Sequence, residues 1–305
     1  MARCFVTRKL PGPALRRLQA AHDVEVWEER LPPTPAELRR AASEAEGLLT
    51  LLTDRVDAGL IDACPHLKTI SNYAVGYDNI DVAAATRREI TVGHTPDVLT
   101  DATADLTFAL LLAAARKLPG AIRAVDEGDW LTWEPARYLG REVHGTTLGI
   151  IGFGRIGQAV AQRAAGFQMR VIHTGRGEPI DTLLCESDFV SLHAPLTKAT
   201  HHLIDSHALS KMAPTAILIN TARGGLVDQA ALAHALEQGS IAGAALDVTD
   251  PEPLSPDDPL LQAPNLIVTP HIGSATQVAR ERMAEFAVDN LLAGLEGRPM
   301  PHQAN

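Results

Sequence analysis

The chain has 305 residues, of which 46% are hydrophobic and 21% charged, and its formal net charge is −10 at pH 7. This length suits two domains, each able to bury its own core. The acidic balance, without a cluster of Lys and Arg, excludes nucleic acid and anionic membrane surfaces as main partners. It does not exclude a small anionic substrate, which needs only a local positive site.

Cysteine usage and the N-terminal sequence predict a cytoplasmic protein. Cys4, Cys64 and Cys185 lie far apart, which argues against a disulfide framework or a cysteine zinc site and favours a reducing compartment. Charged residues and then Pro11-Gly12-Pro13 follow the start closely, so no signal peptide is predicted. The most apolar stretch, Leu106–Ala115, is too short to span a bilayer and is predicted to be a buried helix. No metal site is predicted.

Short apolar runs alternate with helical patterns almost from end to end, which predicts parallel sheets with helices on both faces. The first series of predicted strands is Cys4–Thr7, Val24–Trp27, Gly47–Leu52, Leu67–Ser71 and Thr91–Gly93. The second series is Thr147–Ile151, Arg170–Thr174, Asp188–His193, Ala216–Asn220, Gly243–Val248 and Leu266–Thr269. Helical patterns include Ala36–Ala45, Ala83–Arg88, Arg155–Ala165, Gln229–Glu237 and Ala275–Leu295.

The two series predict an α/β protein with two doubly wound parallel-sheet domains. A long helical pattern from Asp101 to about Asp126 separates them, and the last helix is expected to return to the first domain. We therefore predict a first domain of residues 1–98 and 275–305 and a second of residues 99–274. A cleft between them is expected near Thr95–Thr100 and Pro270–Ser274.

The second series is shortened after Arg176. Only Gly177-Glu178-Pro179-Ile180 separate this residue from the next helical pattern, Asp181–Glu186. A regular unit needs a helix of roughly ten residues and a further strand at this point. The second sheet is therefore predicted to lack the edge strand beside Arg170–Thr174.

A glycine cluster, Gly152-Phe-Gly154-Arg-Ile-Gly157, follows the predicted strand Thr147–Ile151 and opens a helix. In this context Gly152 permits a tight turn, Gly154 lets the backbone approach a pyrophosphate, and Gly157 allows close helix–sheet packing. The helix N-terminus offers free N–H groups to the phosphates. The cluster predicts dinucleotide binding, with a flavin dinucleotide as the less favoured alternative to a nicotinamide one.

The next strand ends in His173-Thr174-Gly175-Arg176, where many dinucleotide-binding units carry Asp or Glu. An acid there would accept hydrogen bonds from the ribose hydroxyls and repel a 2′-phosphate. Thr174 offers a hydroxyl, Gly175 lets the backbone come close, and Arg176 offers a cation. We therefore predict that NADP(H) is preferred over NAD(H). The alternative is that Arg176 is a solvated turn residue.

Three polar segments follow predicted strands, at the sheet edge where ligands of open parallel sheets bind. They carry Arg223 in "INTARGGLVD", Asp247 and Glu252 in "LDVTDPEPL", and His271 in "TPHIGSAT". Each alone could be an ordinary surface or loop residue. Together they supply what hydride transfer to a carbonyl needs: a histidine proton donor, a carboxylate that favours its protonated form, and a cation that binds an anionic substrate.

These segments, in this order, resemble the D-2-hydroxyacid dehydrogenase family, and most closely its glyoxylate/hydroxypyruvate reductases. The segments "GFGRIG", "NYAVGYDNID" and "TPDVLTDATADL" extend the resemblance over nearly the whole chain. It implies a flavodoxin-like substrate domain, a Rossmann cofactor domain and NAD(P)H-dependent reduction of small 2-keto acids such as glyoxylate and hydroxypyruvate. It also implies a homodimer.

The resemblance assigns roles to individual residues. It implies Arg223 as the carboxylate-binding and polarising residue, Glu252 as the partner of the acid/base His271, and substrate contacts from Leu51, Leu52, Val75, Gly76 and Trp133. The Trp133 side chain would reach the partner subunit's site and filter substrate size; alternatively Trp130 and Trp133 are simply buried in a dimer interface. Implied cofactor contacts are Thr103, Gly152, Gly154, Arg155, Ile156, Gly157, Thr174, Gly175, Arg176, Ala194, Pro195, Thr221, Ala222 and Asp247.

Other activities remain open at this point. Formate dehydrogenases of this scaffold pair their histidine with Gln, so Glu252 argues against them. A D-lactate or 3-phosphoglycerate dehydrogenase is an alternative within the family. A co-repressor that senses a dinucleotide and binds proteins is an alternative outside the enzymes; turnover of glyoxylate would separate the two classes.

Overall fold

The computed structural model describes all residues from Met1 to Asn305. The chain divides into two compact units: Met1–Leu99 with Ala275–Asn305, and Thr100–Ser274. All strand pairs within the two sheets are parallel. The chain is therefore an α/β protein with two doubly wound units, as predicted. None of its helices combines the length and the apolar character needed to cross a membrane.

The strands are β1 (Arg3–Val6), β2 (Asp23–Val26), β3 (Gly47–Thr50), β4 (Thr69–Asn72), β5 (Thr91–Gly93), β6 (Thr147–Ile151), β7 (Arg170–Thr174), β8 (Phe189–Leu192), β9 (Ile217–Asn220), β10 (Gly243–Leu246) and β11 (Leu266–Val268). The helices are α1 (Ala14–Ala21), α2 (Pro35–Ala42), α3 (Ala58–Asp62), α4 (Val82–Arg87), α5 (Thr100–Ala115), α6 (Leu118–Asp126), α7 (Arg155–Gly166), α8 (Asp181–Glu186), α9 (Ser206–Lys211), α10 (Gln229–Glu237) and α11 (Gln277–Leu295). All eleven predicted strands are present, with ends that differ by two residues at most.

The first unit is a five-stranded sheet in the order β2-β1-β3-β4-β5. Every residue of β3 and β4 is buried, as expected of a parallel sheet that is covered on both faces. Helix α11 returns to this unit and packs on β3, β4 and β5. The side chain of Asn290 on α11 donates to His94 O at 2.9 Å and accepts from His302 N at 3.0 Å, which ties the segment after α11 to the end of β5.

The second unit is a six-stranded sheet in the order β11-β10-β9-β8-β6-β7. Strand β7 is its edge, and residues 175–180 contain no strand. The predicted loss of the outermost strand is therefore confirmed. Its cause is the short connection, since six residues cannot cross the sheet and return.

The long helical pattern from Asp101 to about Asp126 is two helices rather than one. Helix α5 ends at Ala115 and α6 begins at Leu118, because Lys117 adopts a left-handed φ of 52° and Pro119 cannot donate the N–H that a continuous helix needs. Helix α5 is apolar on most sides and lies between α7 and strands β9 and β10, which makes it the central helix of the second unit.

Candidate active site

The glycine cluster forms the turn between β6 and α7. Gly152 has a φ of 93°, and a Cβ on it would lie 2.6 Å from Ala194 N, so only glycine fits. A Cβ on Gly157 would lie 2.4 Å from Gly152 O, whereas one on Gly154 would meet nothing within 4 Å. The turn is therefore packed against the protein at its two ends and open at Gly154, the N-cap of α7. This is the shape that a pyrophosphate at a helix N-terminus requires.

The end of β7 lies beside this turn, because Gly152 N donates to Thr174 O at 3.0 Å. The Thr174 hydroxyl is buried and has no hydrogen-bond partner. Arg176 is exposed and makes no ion pair or hydrogen bond. The ring of His173, which had no predicted role, stacks on Phe153 of the glycine turn with centroids 3.8 Å apart and planes 9° apart. The end of β7 and the glycine turn are therefore in direct contact.

Ala194 and Pro195 follow β8, on the other side of β6. The close approach of Gly152 to Ala194 N brings the predicted Ala194 to the glycine turn, and Pro195 is exposed next to it. Burial lowers the pKa of the preceding His193 to about 4. This imidazole is therefore neutral near pH 7, where its Nε2 shares a hydrogen bond of 2.8 Å with Ser191 Oγ.

Thr103 and Thr221 are connected inside the second unit through Thr107. The Thr107 hydroxyl lies 2.9 Å from Thr221 Oγ1 and donates to Thr103 O at 2.8 Å. A Cβ on Gly273 would lie 3.4 Å from Thr103 Oγ1 and 3.2 Å from Asp247 Oδ2. The structure thus brings together Thr103, Thr221 and Asp247, which the sequence predicts at the nicotinamide end of the cofactor. Arg155 and Ile156, predicted at the phosphates, are the first two residues of α7.

Arg223 lies on a turn that directly follows β9. The Asn220 side chain shapes this turn by donating to Arg223 O at 2.8 Å and accepting from Ala222 N at 3.0 Å. Gly224 must be glycine, because a Cβ there would lie 2.0 Å from the backbone carbon of Thr249. The Arg223 guanidinium donates to Ala222 O at 2.8 Å through Nη1. The hydrogen bonds of Asn220 and the close contact at Gly224 fix the backbone of Arg223.

His271 and Glu252 form a direct pair: His271 Nδ1 lies 2.5 Å from Glu252 Oε1. The two side chains are 21% and 30% exposed, so the pair is accessible to a small molecule. Glu252 comes from the loop after β10, and His271 from the turn after β11. These strands are adjacent to each other, and β10 is adjacent to β9. Arg223, Glu252 and His271 therefore all follow the carboxyl ends of three neighbouring strands.

Asp247 has a structural task that the sequence did not reveal. Its Oδ1 accepts from Thr269 Oγ1 at 2.6 Å and from Ile272 N at 2.8 Å, and its Oδ2 accepts from Gly273 N at 2.7 Å. These bonds close the turn that holds His271 at a φ of 53°, a left-handed conformation unusual for a residue other than glycine. Asp247 therefore positions the histidine, and one lone pair of Oδ2 is left for a ligand.

The predicted substrate residues of the first unit follow β3 and β4. The carbonyl of Val75 lies 2.9 Å from His94 Nδ1, and the carbonyl of Gly76 accepts from Asn72 Nδ2 at 2.9 Å. No hydrogen bond uses the N–H of Val75 or Gly76, so two consecutive donors remain for an anion.

Leu51 and Leu52 are half-buried. Asn79 Nδ2 donates to Leu51 O at 3.1 Å, and Asp54 Oδ2 accepts from Leu51 N at 2.8 Å. Asn72 and Asn79 are also hydrogen-bonded to each other at 3.0 Å. One amide network therefore fixes the predicted substrate loops after both β3 and β4. The sequence showed these amides only as polar residues after strands, and gave no sign of their partners.

Trp133 lies in the segment of the second unit that follows α5. This segment, residues 118–139, is called the arm; next to it Arg141 N donates to Ala115 O at 2.8 Å. The Trp133 side chain is 80% exposed, so it is open to solvent in the single chain. Eight of the fourteen large hydrophobic residues that are exposed lie in the arm: Leu118, Ile122, Val125, Trp130, Leu131, Trp133, Tyr138 and Leu139.

The chain is similar to known proteins over nearly its whole length. Residues 108–273 match the family model of the NAD binding domain of D-isomer specific 2-hydroxyacid dehydrogenases. The chain is 47% identical to the glyoxylate reductase of Korarchaeum cryptofilum strain OPF8, over 99% of this chain and 96% of that protein. It is 50% identical to a Thermus thermophilus protein of known crystal structure, with a TM-score of 0.94 over 99% of this chain and 100% of that chain.

A third similar structure is the NADPH-dependent glyoxylate/hydroxypyruvate reductase of Sinorhizobium meliloti in complex with NADP and malonate. The TM-score is 0.86 and the identity 32%, over 99% of this chain and 96% of that chain.

Proposed function

The chain belongs to the D-isomer specific 2-hydroxyacid dehydrogenases, and we propose that it reduces glyoxylate and hydroxypyruvate to the 2-hydroxy acids glycolate and D-glycerate. Its second unit contains the NAD-binding domain of that family. The observation that carries the proposal is the His271–Glu252 pair on a turn that Asp247 holds. Relatives named glyoxylate reductase, which match nearly the whole chain, support the choice of substrate.

The residues of the second unit fit a reduction of a 2-keto acid. A reduced nicotinamide, held at the glycine turn and near Thr103, Thr221 and Asp247, would supply the hydride. His271 donates its Nε2 proton to the carbonyl oxygen as negative charge develops there, while Glu252 on Nδ1 orients the ring. Arg223 binds the substrate carboxylate and polarises the carbonyl through its planar guanidinium. The 2-keto acid gains one hydride and one proton, and the sum is the 2-hydroxy acid.

For the first unit taken by itself, we propose that the unused N–H groups of Val75 and Gly76 bind a carboxylate and that Leu51 and Leu52 offer apolar surface to a small substrate. Residues 1–98 and 275–305 are thus proposed as the substrate domain, and residues 99–274 as the cofactor domain.

A panel of 2-keto acids tests this function. We expect turnover of glyoxylate and hydroxypyruvate, followed as the loss of reduced-nicotinamide absorbance, and a lower kcat/KM for pyruvate, whose methyl group is bulkier than the aldehyde hydrogen of glyoxylate and lacks the hydroxyl of hydroxypyruvate. Greater activity with pyruvate or 3-phosphohydroxypyruvate would assign the chain to another member of the family. Absence of turnover with every acid and both cofactors would contradict an enzymatic role.

We propose that NADP(H) is preferred over NAD(H). The support is the exposed and unpaired Arg176 just after β7, where the ribose 2′-substituent is expected. The similar Sinorhizobium meliloti enzyme is NADPH-dependent and binds NADP.

Replacing Arg176 by Ala should lower kcat/KM for NADPH by about one to two orders of magnitude and leave that for NADH within about threefold. The reason is that a charge-assisted pair with the phosphate is lost. Arg170→Ala, at the start of β7 and paired with Glu186, is the matched control. Equal losses with both cofactors would remove Arg176 from phosphate recognition, and a wild-type preference for NADH would contradict the proposal.

We also propose that two copies of the chain pair through the arm. It carries eight exposed aromatic and aliphatic side chains, such as Leu131 at 85% exposure, and large exposed apolar residues grouped in one segment are typical of protein interfaces. In the dimer Trp133 would lie against the partner subunit's site and restrict substrate size. The predicted cytoplasmic location stays a prediction.

Sedimentation velocity tests the dimer. With a chain mass of 32.6 kDa, the wild-type protein should sediment as a species of twice this mass, and Leu131→Asp should sediment as a monomer. Leu31→Asp is the matched control, since Leu31 is 75% exposed but lies outside the arm. A dimer that survives Leu131→Asp, or a monomeric wild type, would contradict pairing through the arm.

A further inference from the structure

The short loop after β7 folds one of its own carboxylates onto the end of the strand. Gly175 N donates to Glu178 Oε2 at 2.6 Å, and Glu178 N donates to Gly175 O at 3.5 Å. Gly177 makes this turn possible with a φ of 76°. Because only six residues connect β7 to α8, Glu178 is the first residue after the strand whose side chain can return to it. The acid that is missing from the end of β7 is thus supplied from four residues later.

The carboxylate covers the open side of Gly175. The three atoms nearest to a Cβ on Gly175 would all belong to the Glu178 carboxylate, with Oε2 at 3.5 Å and the carboxyl carbon at 3.7 Å. The Gly175 N–H is therefore already bonded to an anion. Arg176, between these two residues, makes no ion pair with Glu178, so the negative charge is not neutralised inside the turn.

This position is where the two cofactors differ. In a dinucleotide-binding unit the ribose 2′-substituent lies at the end of the second strand, which is β7 here. A carboxylate accepts hydrogen bonds from ribose hydroxyls and can stay on Gly175 N when the cofactor is NAD(H). A 2′-phosphate carries about one and a half to two negative charges near pH 7 and accepts the same N–H, so it competes with the carboxylate and is repelled by it.

We propose that Glu178 is a specificity-determining residue: its carboxylate competes with the cofactor 2′-phosphate for Gly175 N and so limits the preference for NADP(H). The inference rests on the proposed function in placing the adenosine ribose at the end of β7. Arg176 and Glu178 then act in opposite directions, and the preference of the wild-type chain is the difference between the two effects.

Two adenosine probes measure this effect without turnover. Calorimetric titration with adenosine 2′,5′-bisphosphate and with 5′-AMP, at fixed ionic strength, compares ligands that differ only in the 2′-phosphate. We expect Glu178→Gln to lower the Kd of the bisphosphate about three- to tenfold and to change the Kd of 5′-AMP by less than about twofold. Gln can keep the bond to Gly175 N, so this substitution isolates the charge; Glu178→Ala removes the bond as well and should shift the ratio in the same direction.

Glu186→Gln removes a carboxylate of the neighbouring α8 and is the matched control, with an unchanged ratio expected. If the ratio of the two Kd values is the same in wild type, Glu178→Gln and Glu178→Ala, the inference is overturned while the proposed function stands. If the wild-type chain binds neither probe, the assignment of the site is wrong, and this inference falls with it. Gly152→Ala, which places a Cβ 2.6 Å from Ala194 N, should abolish binding of both probes.

Discussion

Replacing His271 by Ala should lower kcat for glyoxylate reduction by about two to four orders of magnitude, because the proposed proton donor is removed. Binding of the reduced cofactor, measured by its fluorescence, should stay within about threefold of wild type. His271→Asn should be as inactive as His271→Ala. Asn tolerates the left-handed φ of 53° at this position, so it separates the loss of the proton donor from disturbance of the turn.

His201→Ala is the matched control, since His201 is an exposed histidine of the same unit that stacks only on His202. It should retain wild-type kcat. If His271→Asn kept more than about a tenth of the wild-type kcat, another group would have to donate the proton.

Glu252 should affect the same step in a different way. Glu252→Gln can keep a hydrogen bond to His271 but removes the negative charge that lies beside the ring. We therefore expect kcat for glyoxylate reduction to fall by about one to two orders of magnitude, less than in His271→Ala, with KM within about threefold of wild type. An unchanged kcat would leave Glu252 with an orienting role only.

The sequence predicts most of the fold because parallel strands in a doubly wound sheet are buried on both faces. The apolar run Thr147–Ile151, for example, matches β6 residue for residue. The missing edge strand is also predictable, since chain length alone limits what residues 175–180 can do. The break between α5 and α6 was missed although Pro119 signals it in the sequence; only the left-handed conformation of Lys117 has no clear sequence signal.

The candidate residues are predictable, but the contacts that hold them are only partly so. Parallel strands end at one edge, so residues after β9, β10 and β11 have to lie near each other. The partner that each of these side chains contacts depends on the conformation of the loops after the strands. The sequence predicts Asp247 as a cofactor contact, whereas three hydrogen bonds to its carboxylate close the His271 turn. In the sequence Glu178 is only the first acid after β7, and its return to Gly175 N depends on the turn at Gly177.

The second large effect is expected at Arg223. Arg223→Lys should lower kcat/KM for glyoxylate by at least about two orders of magnitude, with KM raised and kcat lowered together. Lysine keeps the positive charge but is a single point donor, whereas the guanidinium can bind a carboxylate with two parallel hydrogen bonds and polarise the carbonyl beside it. The turn itself should survive, because Asn220 bonds only to backbone atoms of Ala222 and Arg223.

Arg163→Lys is the control for a general sensitivity to loss of guanidinium groups, since Arg163 pairs with Asp101 and Asp105 on the surface of the same unit. It should leave both constants within about twofold. In Arg223→Ala, added guanidinium at a concentration that does not unfold the protein should restore part of kcat, because the cavity left by the side chain can admit the free cation. Activity of Arg223→Lys within about threefold of wild type would show that charge alone suffices. The proposal that Arg223 binds the substrate carboxylate through two parallel hydrogen bonds would then be wrong. Arg223 would act only as a positive charge that attracts an anion to the carboxyl edge of the sheet.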